Sequence, residues 1–278
     1  MPAPLRSLRW RSILSLPAGT KNRPIHIPGD VRRRLRHKYG NQFMTSIDPR
    51  DEMFRFLESH PGIDNPVEAY FESGESLHEN LLYALKEATF YPGVSSALLD
   101  FACGYGRLAR FLVKDVGPQN ITVADIDARA VDFCKSRLGV TGFNSTRHPG
   151  ELVHDGQYDG VLVVSLFSHL SLQLWSLWLE RLFEMVKVGG VLLFSTHGLH
   201  AYGLLNEQAR RVVEELSEGF YYVGVSETNR LSSMDYGTTY VSQTYVERAV
   251  RKARLGTREA YFPHLLWNFQ DVYVLRKQ

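Results

Sequence analysis

The segment Ala97-Leu98-Leu99-Asp100-Phe101-Ala102-Cys103-Gly104-Tyr105-Gly106-Arg107 restricts the fold more than any other part of this chain. An apolar run of strand length leads into a glycine turn, and the amphipathic stretch 107–114 behind it reads as a helix. Such a turn lets backbone approach a ligand closely at the carboxyl end of a strand, where open α/β sheets bind their ligands. Asp125 lies 21 residues beyond Gly104, at the end of the next apolar run. A carboxylate at that point is placed to accept hydrogen bonds from ribose hydroxyls.

The rhythm continues on both sides of this segment. Strands are predicted at Ala97–Ala102, Ile121–Ile126, Thr141–Ser145, Val161–Leu166 and Val191–Thr196, with helices over 107–114, 128–138 and 171–187 between them. Alternating strands and helices point to the α/β class with a doubly wound, mostly parallel sheet and right-handed crossovers. Upstream, Ser76-Leu77-His78-Glu79 has the form of a capping box and predicts a helix start at residue 76. Downstream, a helix is expected at about 206–218, and Glu259–Phe262 and Asp271–Leu275 suit an antiparallel hairpin at the sheet edge.

Charge divides the chain unevenly. Residues 1–40 hold ten Lys and Arg against the single acid Asp30, whereas the remainder carries 22 basic and 29 acidic residues. We divide the chain into a basic arm over 1–40, a helical extension or cofactor lid over 41–94, and a main domain over 95–278 with an acceptor-side insertion at about 199–257. Only Trp10 interleaves with the arginines, where a nucleic-acid platform wants several aromatics, so nucleic acid is not the expected partner. The arm reads as solvated or docked on the body, with peripheral contact to an anionic surface as the alternative. Removing it should leave cofactor binding intact. Residues 1–17, rich in Arg and Ser, also resemble an organelle transit peptide. No stretch has the roughly 20 predominantly apolar residues of a membrane span. Two cysteines, Cys103 and Cys134, exclude a multi-bridge disulfide scaffold and a cysteine-built zinc cage, and a reducing compartment, the cytoplasm, is expected. The sequence sets no oligomeric state.

Two nucleotide-like cofactors suit the turn. Gly104-Tyr105-Gly106-Arg107-Leu108-Ala109 satisfies the relaxed dinucleotide pattern GxGxxA. A pyrophosphate, however, is repelled by Asp100 four residues before the first glycine, and a carboxylate there suits an ammonium group. S-adenosylmethionine offers an amino acid end, a ribose and an adenine without phosphate.

At this point the chain resembles the class I S-adenosylmethionine-dependent methyltransferases. Asp100-Phe101-Ala102-Cys103-Gly104-Tyr105-Gly106 is similar to their DxxxGxG motif, and Val123-Ala124-Asp125-Ile126-Asp127 to their second-strand acid. Tyr158-Asp159-Gly160-Val161 is similar to the opening of their fourth strand, and Val186-Lys187-Val188-Gly189-Gly190 to a later turn in which Val188 replaces the usual proline. The resemblance spans roughly residues 95–197 and implies a seven-stranded sheet. It puts Gly104 and Gly106 beside the methionine portion, Asp125 on the ribose and Ile126 against adenine, and counts Ala102 and Arg107 of the same turn among the cofactor-binding residues. Asp100 is then expected to act through the turn and on the cofactor's amino group. Looser similarity, at Ser165-Leu166-Phe167-Ser168-His169-Leu170 and Ser195-Thr196-His197-Gly198, points to a bacterial subgroup sometimes associated with glycan or surface-polymer synthesis. It adds Ser165 to the cofactor set, together with Tyr70, Ser73 and Gly74 from a segment that such proteins bring over the cofactor.

Methyl transfer from an activated sulfonium chiefly needs an aligned acceptor and removal of its proton. His169 after the fourth strand and His197 at the end of the fifth are the candidate bases. Each also has a bland reading, His169 as a helix-start residue bonded to backbone and His197 as a packing residue without an adjacent Asp partner. Tyr236, Tyr240 and His264 are outside candidates, and Cys103 reads as filler under the turn rather than a nucleophile. No metal site is expected, since HExxH and paired-Cys motifs are missing from the sequence. The expected reaction is transfer to a small-molecule or glycan acceptor, at oxygen rather than nitrogen. The rivals are a non-catalytic cofactor-binding regulator and a nucleic-acid methyltransferase, the latter opposed by Ser165-Leu166-Phe167-Ser168 where a base-amino enzyme carries an Asn/Asp-Pro-Pro-Tyr/Phe motif.

Overall fold

The computed structural model describes residues 24–198, 201, 219–224 and 232–278, which fall into two compact units. Among the described residues the first unit comprises 24–147 and 158–162, and the second the rest. The transit-like residues 1–17, the first half of the basic arm and the helix expected over 206–218 lie outside the described residues.

The first unit opens with α1 (Gly29–Tyr39), α2 (Glu52–Ser59) and α3 (Pro66–Glu87). Asp51 starts α2 by accepting the backbone N–H groups of Met53 and Phe54. Asn65 caps α3 by accepting from Glu68, and Pro66 takes the first-turn position where no donor is needed. The capping-box pattern at Ser76 does not start a helix. α3 runs straight through it, because Val67, Tyr70, Phe71, Leu77, Leu81 and Leu85 form one buried face that begins at Val67, nine residues upstream of Ser76.

The parallel part follows as β1 (Leu98–Phe101), α4 (Ala109–Val116), β2 (Ile121–Asp125), α5 (Ala128–Leu138), β3 (Thr141–Asn144) and β4 (Tyr158–Val163). β1 and β2 pair in parallel with Leu98 opposite Ile121, β2 and β3 with Thr122 opposite Thr141, and the order is β3-β2-β1-β4. α4 begins two residues later than the sequence suggests, since Gly104 and Gly106 have φ of +52° and +73° and hold the chain out of the helix. β4 ends at Val163 rather than Leu166, because Ser165 takes φ +63°, which a strand does not accommodate.

α1 belongs to this unit's core. Val31 and Leu35 join Ile27, Phe43, Tyr70, Phe71 and Phe111 in one apolar cluster, while Arg34 pairs with Glu68 and Lys38 with Glu75. The described part of the arginine-rich arm is therefore docked through its apolar face, with two of its cations, Arg34 and Lys38, paired with acids of α3 and Arg32, Arg33 and Arg36 exposed.

The second unit contains α6 (Leu172–Glu184), β5 (Val186–His197), β6 (Phe220–Val223), β7 (Thr238–Val241), α7 (Gln243–Lys252), β8 (Thr257–Leu266) and β9 (Gln270–Arg276). β5 lies between β7, which is parallel to it, and β9, which is antiparallel. β6 pairs antiparallel with β7, and β8 with β9, so the expected hairpin is present. Nine strands are described where seven were expected, the additional pair being β6 and β7 within 199–257. Their sequences, Phe-Tyr-Tyr-Val and Thr-Thr-Tyr-Val, are the aromatic and β-branched runs that favour a pleated surface. β5 begins five residues earlier than predicted, because Gly189 N–H donates to Lys277 O at 2.8 Å and Lys277 N–H to Gly190 O at 3.0 Å, drawing the apparent turn into the sheet. Within this unit Trp175 meets Phe167 and Phe194 edge to face, and those two rings lie tilted against each other.

Because Leu35 is 1% exposed in the apolar cluster, Leu35→Ala is expected to destabilise the protein by about 2–5 kcal/mol. A chain beginning at residue 42, which the sequence suggests still folds and binds the cofactor, should unfold at a lower temperature than the full chain. Thermal unfolding followed by circular dichroism checks both, and an unchanged midpoint would show that α1 contributes nothing to the core.

Candidate cofactor site

The turn after β1 is knitted to its neighbours through backbone. Cys103 N–H donates to Ala124 O at 3.1 Å and Gly106 N–H to Cys103 O at 3.1 Å. The two glycines differ in what they allow. A Cβ on Gly104 would meet no atom within 4 Å, so this side of the turn is open to a ligand, whereas one on Gly106 would come within 2.9 Å of Cys134 Sγ, so this glycine lets α5 pack close. Cys103 is buried beneath the turn, its Sγ donating to Gly104 O at 3.2 Å. Its bond to Cys134, with burial, pushes its thiol well up, so it stays protonated and serves as filler.

Two carboxylates flank the turn. Asp100 is 2% exposed, and its Oδ2 has no hydrogen-bond partner. Burial, reinforced by Asp125 nearby, raises its pKa to about 7, opposed by Arg107 and the N–H of Ala109. Asp125 accepts Gly104 N–H on Oδ2 at 2.8 Å and Asp127 N–H on Oδ1 at 2.9 Å. Burial raises its pKa and these N–H bonds lower it. They hold the carboxylate in one orientation while each oxygen keeps a second lone pair for an incoming hydroxyl. Next to it Ile126 leaves 44% of its surface exposed, an apolar face of the kind a planar base covers. Asp127 caps α5 and pairs with Arg129.

Tyr70, Ser73 and Gly74, expected over the cofactor, do other work. Tyr70 is wholly buried, and its hydroxyl donates to Asp51 Oδ2 at 2.6 Å while accepting from Arg110 Nη2 at 3.1 Å. Its hydrogen-bonding capacity is committed inside the core, and it offers none to a ligand. Ser73 Oγ donates to Tyr70 O at 2.9 Å and accepts from Arg107 Nη1 at 3.3 Å, so it orients Arg107. A Cβ on Gly74 would stand 2.9 Å from Phe111 and 3.1 Å from Arg107 O, so this glycine sets the approach of α3 to the turn.

Arg110 carries no signal in the amphipathic pattern of 107–114, yet it is 2% exposed and organises the turn from below. Its guanidinium donates to Gly106 O at 3.0 Å, Tyr105 O at 3.2 Å and Ser46 O at 3.2 Å as well as to Tyr70. Asp51, also unmarked in the sequence, completes the chain through Tyr70.

In the second unit Ser165 N–H donates to Ser195 Oγ at 2.9 Å, and its hydroxyl and Ser195 share Gln270. Ser165 is thus a fixed point in left-handed backbone, held by β5 and β9. His169 Nδ1 lies 2.8 Å from Gly237 O, and its ring stacks on Tyr236 at 4.8 Å between centroids. His197 stands 6.2 Å from His169 and packs against Tyr240 and Phe269. Its Nδ1 is buried without a partner, and burial, with His169 alongside, lowers its pKa to about 3. His197 is therefore neutral near physiological pH and too weak a base to take a hydroxyl proton. His264 sits on β8, its N–H donating to Asp271 Oδ1 at 2.9 Å.

Residues 99–192 match the model of a methyltransferase domain. Over these residues, about a third of its length, the chain is similar to S-adenosylmethionine-dependent methyltransferases of class I. The chain is 27% identical over 163 residues to a probable phthiotriol/phenolphthiotriol dimycocerosates methyltransferase of Mycobacterium ulcerans, covering 57% of this chain and 61% of that protein. It is 26% identical over 188 residues to a malonyl-(acyl-carrier protein) O-methyltransferase of Bacillus cereus, covering 64% and 68%. Among solved structures, an S-adenosylmethionine-dependent methyltransferase from Clostridium acetobutylicum has the same fold with a TM-score of 0.52 at 10% identity, covering 73% of this chain and 91% of that one. The chain matches only about three fifths of the mycobacterial protein's length.

S-adenosylmethionine is the cofactor of this class, and the turn fits it. The orphaned Asp100 Oδ2 is an acceptor waiting for a cationic donor, and the open face of Gly104 leaves room for the methionine portion.

The Asp100 carboxyl gives a pH signature. Its folded pKa, about 7, lies above the unfolded value of 3.8, so the folded state holds this proton more tightly. The group should therefore weaken stability progressively as pH rises from about 4 to about 7, by at most about 4 kcal/mol, and have a constant effect above that. Denaturant unfolding at pH 5 and pH 8 should show this trend, and Asp100→Asn should flatten it. Asp125→Ala should weaken S-adenosylhomocysteine binding at least tenfold by calorimetry, through loss of charge-assisted bonds worth about 1.5–3 kcal/mol each.

Proposed function

We propose that this methyltransferase carries the methyl group of S-adenosylmethionine to a hydroxyl of a small-molecule or glycan acceptor, with His169 taking the acceptor's proton. The observation that carries this reading is the 2.8 Å contact from His169 Nδ1 to Gly237 O. A carbonyl only accepts, so the proton sits on Nδ1 and the lone pair on Nε2, the arrangement a general base needs. Stacking on Tyr236 keeps the ring in that orientation. His197 is assigned a packing role beside it.

When bound, the cofactor supplies an electrophilic methyl on its sulfonium. In this reading the chain holds it with Gly104 and Gly106 along the methionine portion, Asp100 on its ammonium, Asp125 on the ribose and Ile126 on adenine. Arg107 and Ser73 brace the turn. Relatives named for phthiotriol/phenolphthiotriol dimycocerosates, malonyl-(acyl-carrier protein) and fatty acid support a small-molecule or lipid acceptor, and the second of them is an O-methyltransferase by name, whereas another, 25% identical over 142 residues, is named for a tRNA cytidine. No described helix is long and apolar enough to cross a membrane.

Incorporation of labelled methyl from S-adenosylmethionine into a panel of hydroxyl, carboxyl and amine acceptors tests the reading. With the responding acceptor, His169→Ala should slow single-turnover transfer by about 10²–10⁴-fold and leave S-adenosylhomocysteine affinity nearly intact. His169→Gln should not restore the rate, because an amide takes no proton. An unchanged rate in His169→Ala, or transfer confined to amines, would overturn it.

A further inference from the structure

The second unit carries a cationic cleft of about 490 Å³ at the end of α7, near the Val186 end of β5. β5 is twelve residues long, so this end lies about 35 Å from His197 at the other. Phe183 and Val250 contribute the apolar wall, and Arg251, Arg254 and Lys277 the charge. From Arg248 to Arg258 the chain has five cations and no acid. Arg258 pairs with Glu247, and Arg248 lies over the Tyr245 ring. Arg251 and Arg254 are exposed, and their guanidiniums have no partner among the described residues. Lys277 is aimed by the last carbonyls of α6, its Nζ donating to Glu184 O at 3.0 Å and Phe183 O at 3.4 Å.

The backbone that presents Arg254 is fixed and unusual. Arg254 has φ +54°, where the residue after a helix is ordinarily glycine or asparagine. Leu255 N–H returns to Val250 O at 3.1 Å to close the helix end, and Leu255 is buried. At Gly256 an added Cβ would lie 1.9 Å from Arg276 O and 2.9 Å from Phe183, so the loop is seated directly on its neighbours. A bulky side chain in a backbone state that favours glycine is held there by its surroundings, and such positions cluster at ligand clamps.

We propose that this cleft is a second binding site, for a phosphate-bearing anion carrying an apolar or aromatic portion. The two forked guanidiniums match phosphate oxygens in a way point charges do not, and Lys277 adds a third positive charge. Phe183 and Val250 then receive the non-phosphate part. The same chemistry belongs to a soluble organic phosphate and to an anionic lipid headgroup. The plain alternative is that these cations only complement the negative end of the α7 dipole.

Calorimetric titration of the full chain with inorganic pyrophosphate and with ATP, and flotation with vesicles of phosphatidylglycerol in phosphatidylcholine, separate these cases. Saturable binding that weakens with salt is expected, with at least a tenfold loss in Arg251→Gln and in Arg254→Gly. Arg254→Gly should keep or raise the unfolding temperature, because glycine suits the positive φ, so loss of binding there is not loss of fold. S-adenosylhomocysteine affinity should be the same in both variants. Binding of the free probes identifies a soluble ligand, and binding of phosphatidylglycerol vesicles alone identifies a headgroup. No saturable binding to any probe, or binding equal in the variants, overturns the site and leaves helix-end stabilisation.

Discussion

The buried guanidinium of Arg110 is the interaction on which the first unit's turn depends. A charge taken out of water is tolerated only where its donors are matched, and here the match is made by two carbonyls of the turn, a carbonyl of the 41–51 loop and the Tyr70 hydroxyl. The counter-charge arrives through Tyr70 from Asp51, which at the same time caps α2. One network thus fixes the turn and the helices that precede it in sequence. The N-terminal extension supplies the far half of the support beneath the candidate cofactor turn.

Above the turn the electrostatics have the opposite character. Burial and the nearby Asp125 carboxylate raise the pKa of Asp100, and Asp100 lacks a donor on Oδ2. An unsatisfied buried acceptor weakens a fold unless a partner arrives, and an ammonium is the partner that corrects both the missing bond and the like-charge repulsion. The part of the turn that packs is saturated with hydrogen bonds, and the part that faces a ligand is left short of them.

The second unit applies a similar division to its histidines. His169 and His197 lie within 6.2 Å of each other, yet one ring is held by a carbonyl and the other is enclosed by aromatic rings and kept neutral. A carbonyl on Nδ1 sets a tautomer, whereas enclosure only removes charge. Two residues of the same type, one in the segment after β4 and one at the end of β5, therefore acquire different chemistry.

The alternation of apolar runs with amphipathic segments was enough to determine the α/β class, because burying both sheet faces forces continuous apolar strands and one-sided helices. The glycine turn and the place of Asp125 at the end of β2 are readable for a related reason: a turn that needs positive φ and a strand-end acid restrict residue type locally. Tyr70 was misread because nothing in its sequence neighbourhood reveals that its hydroxyl meets Asp51, nineteen residues away. Arg110 and Asp51 went unmarked because a buried ion network is assembled from distant segments, each of which looks like an ordinary helix or loop. The start of β5, the end of β4 and the docking of α1 were likewise decided by partners across the fold. Local backbone preference and period are written in neighbouring residues, but burial, pairing and proton affinity depend on what the folded chain brings alongside.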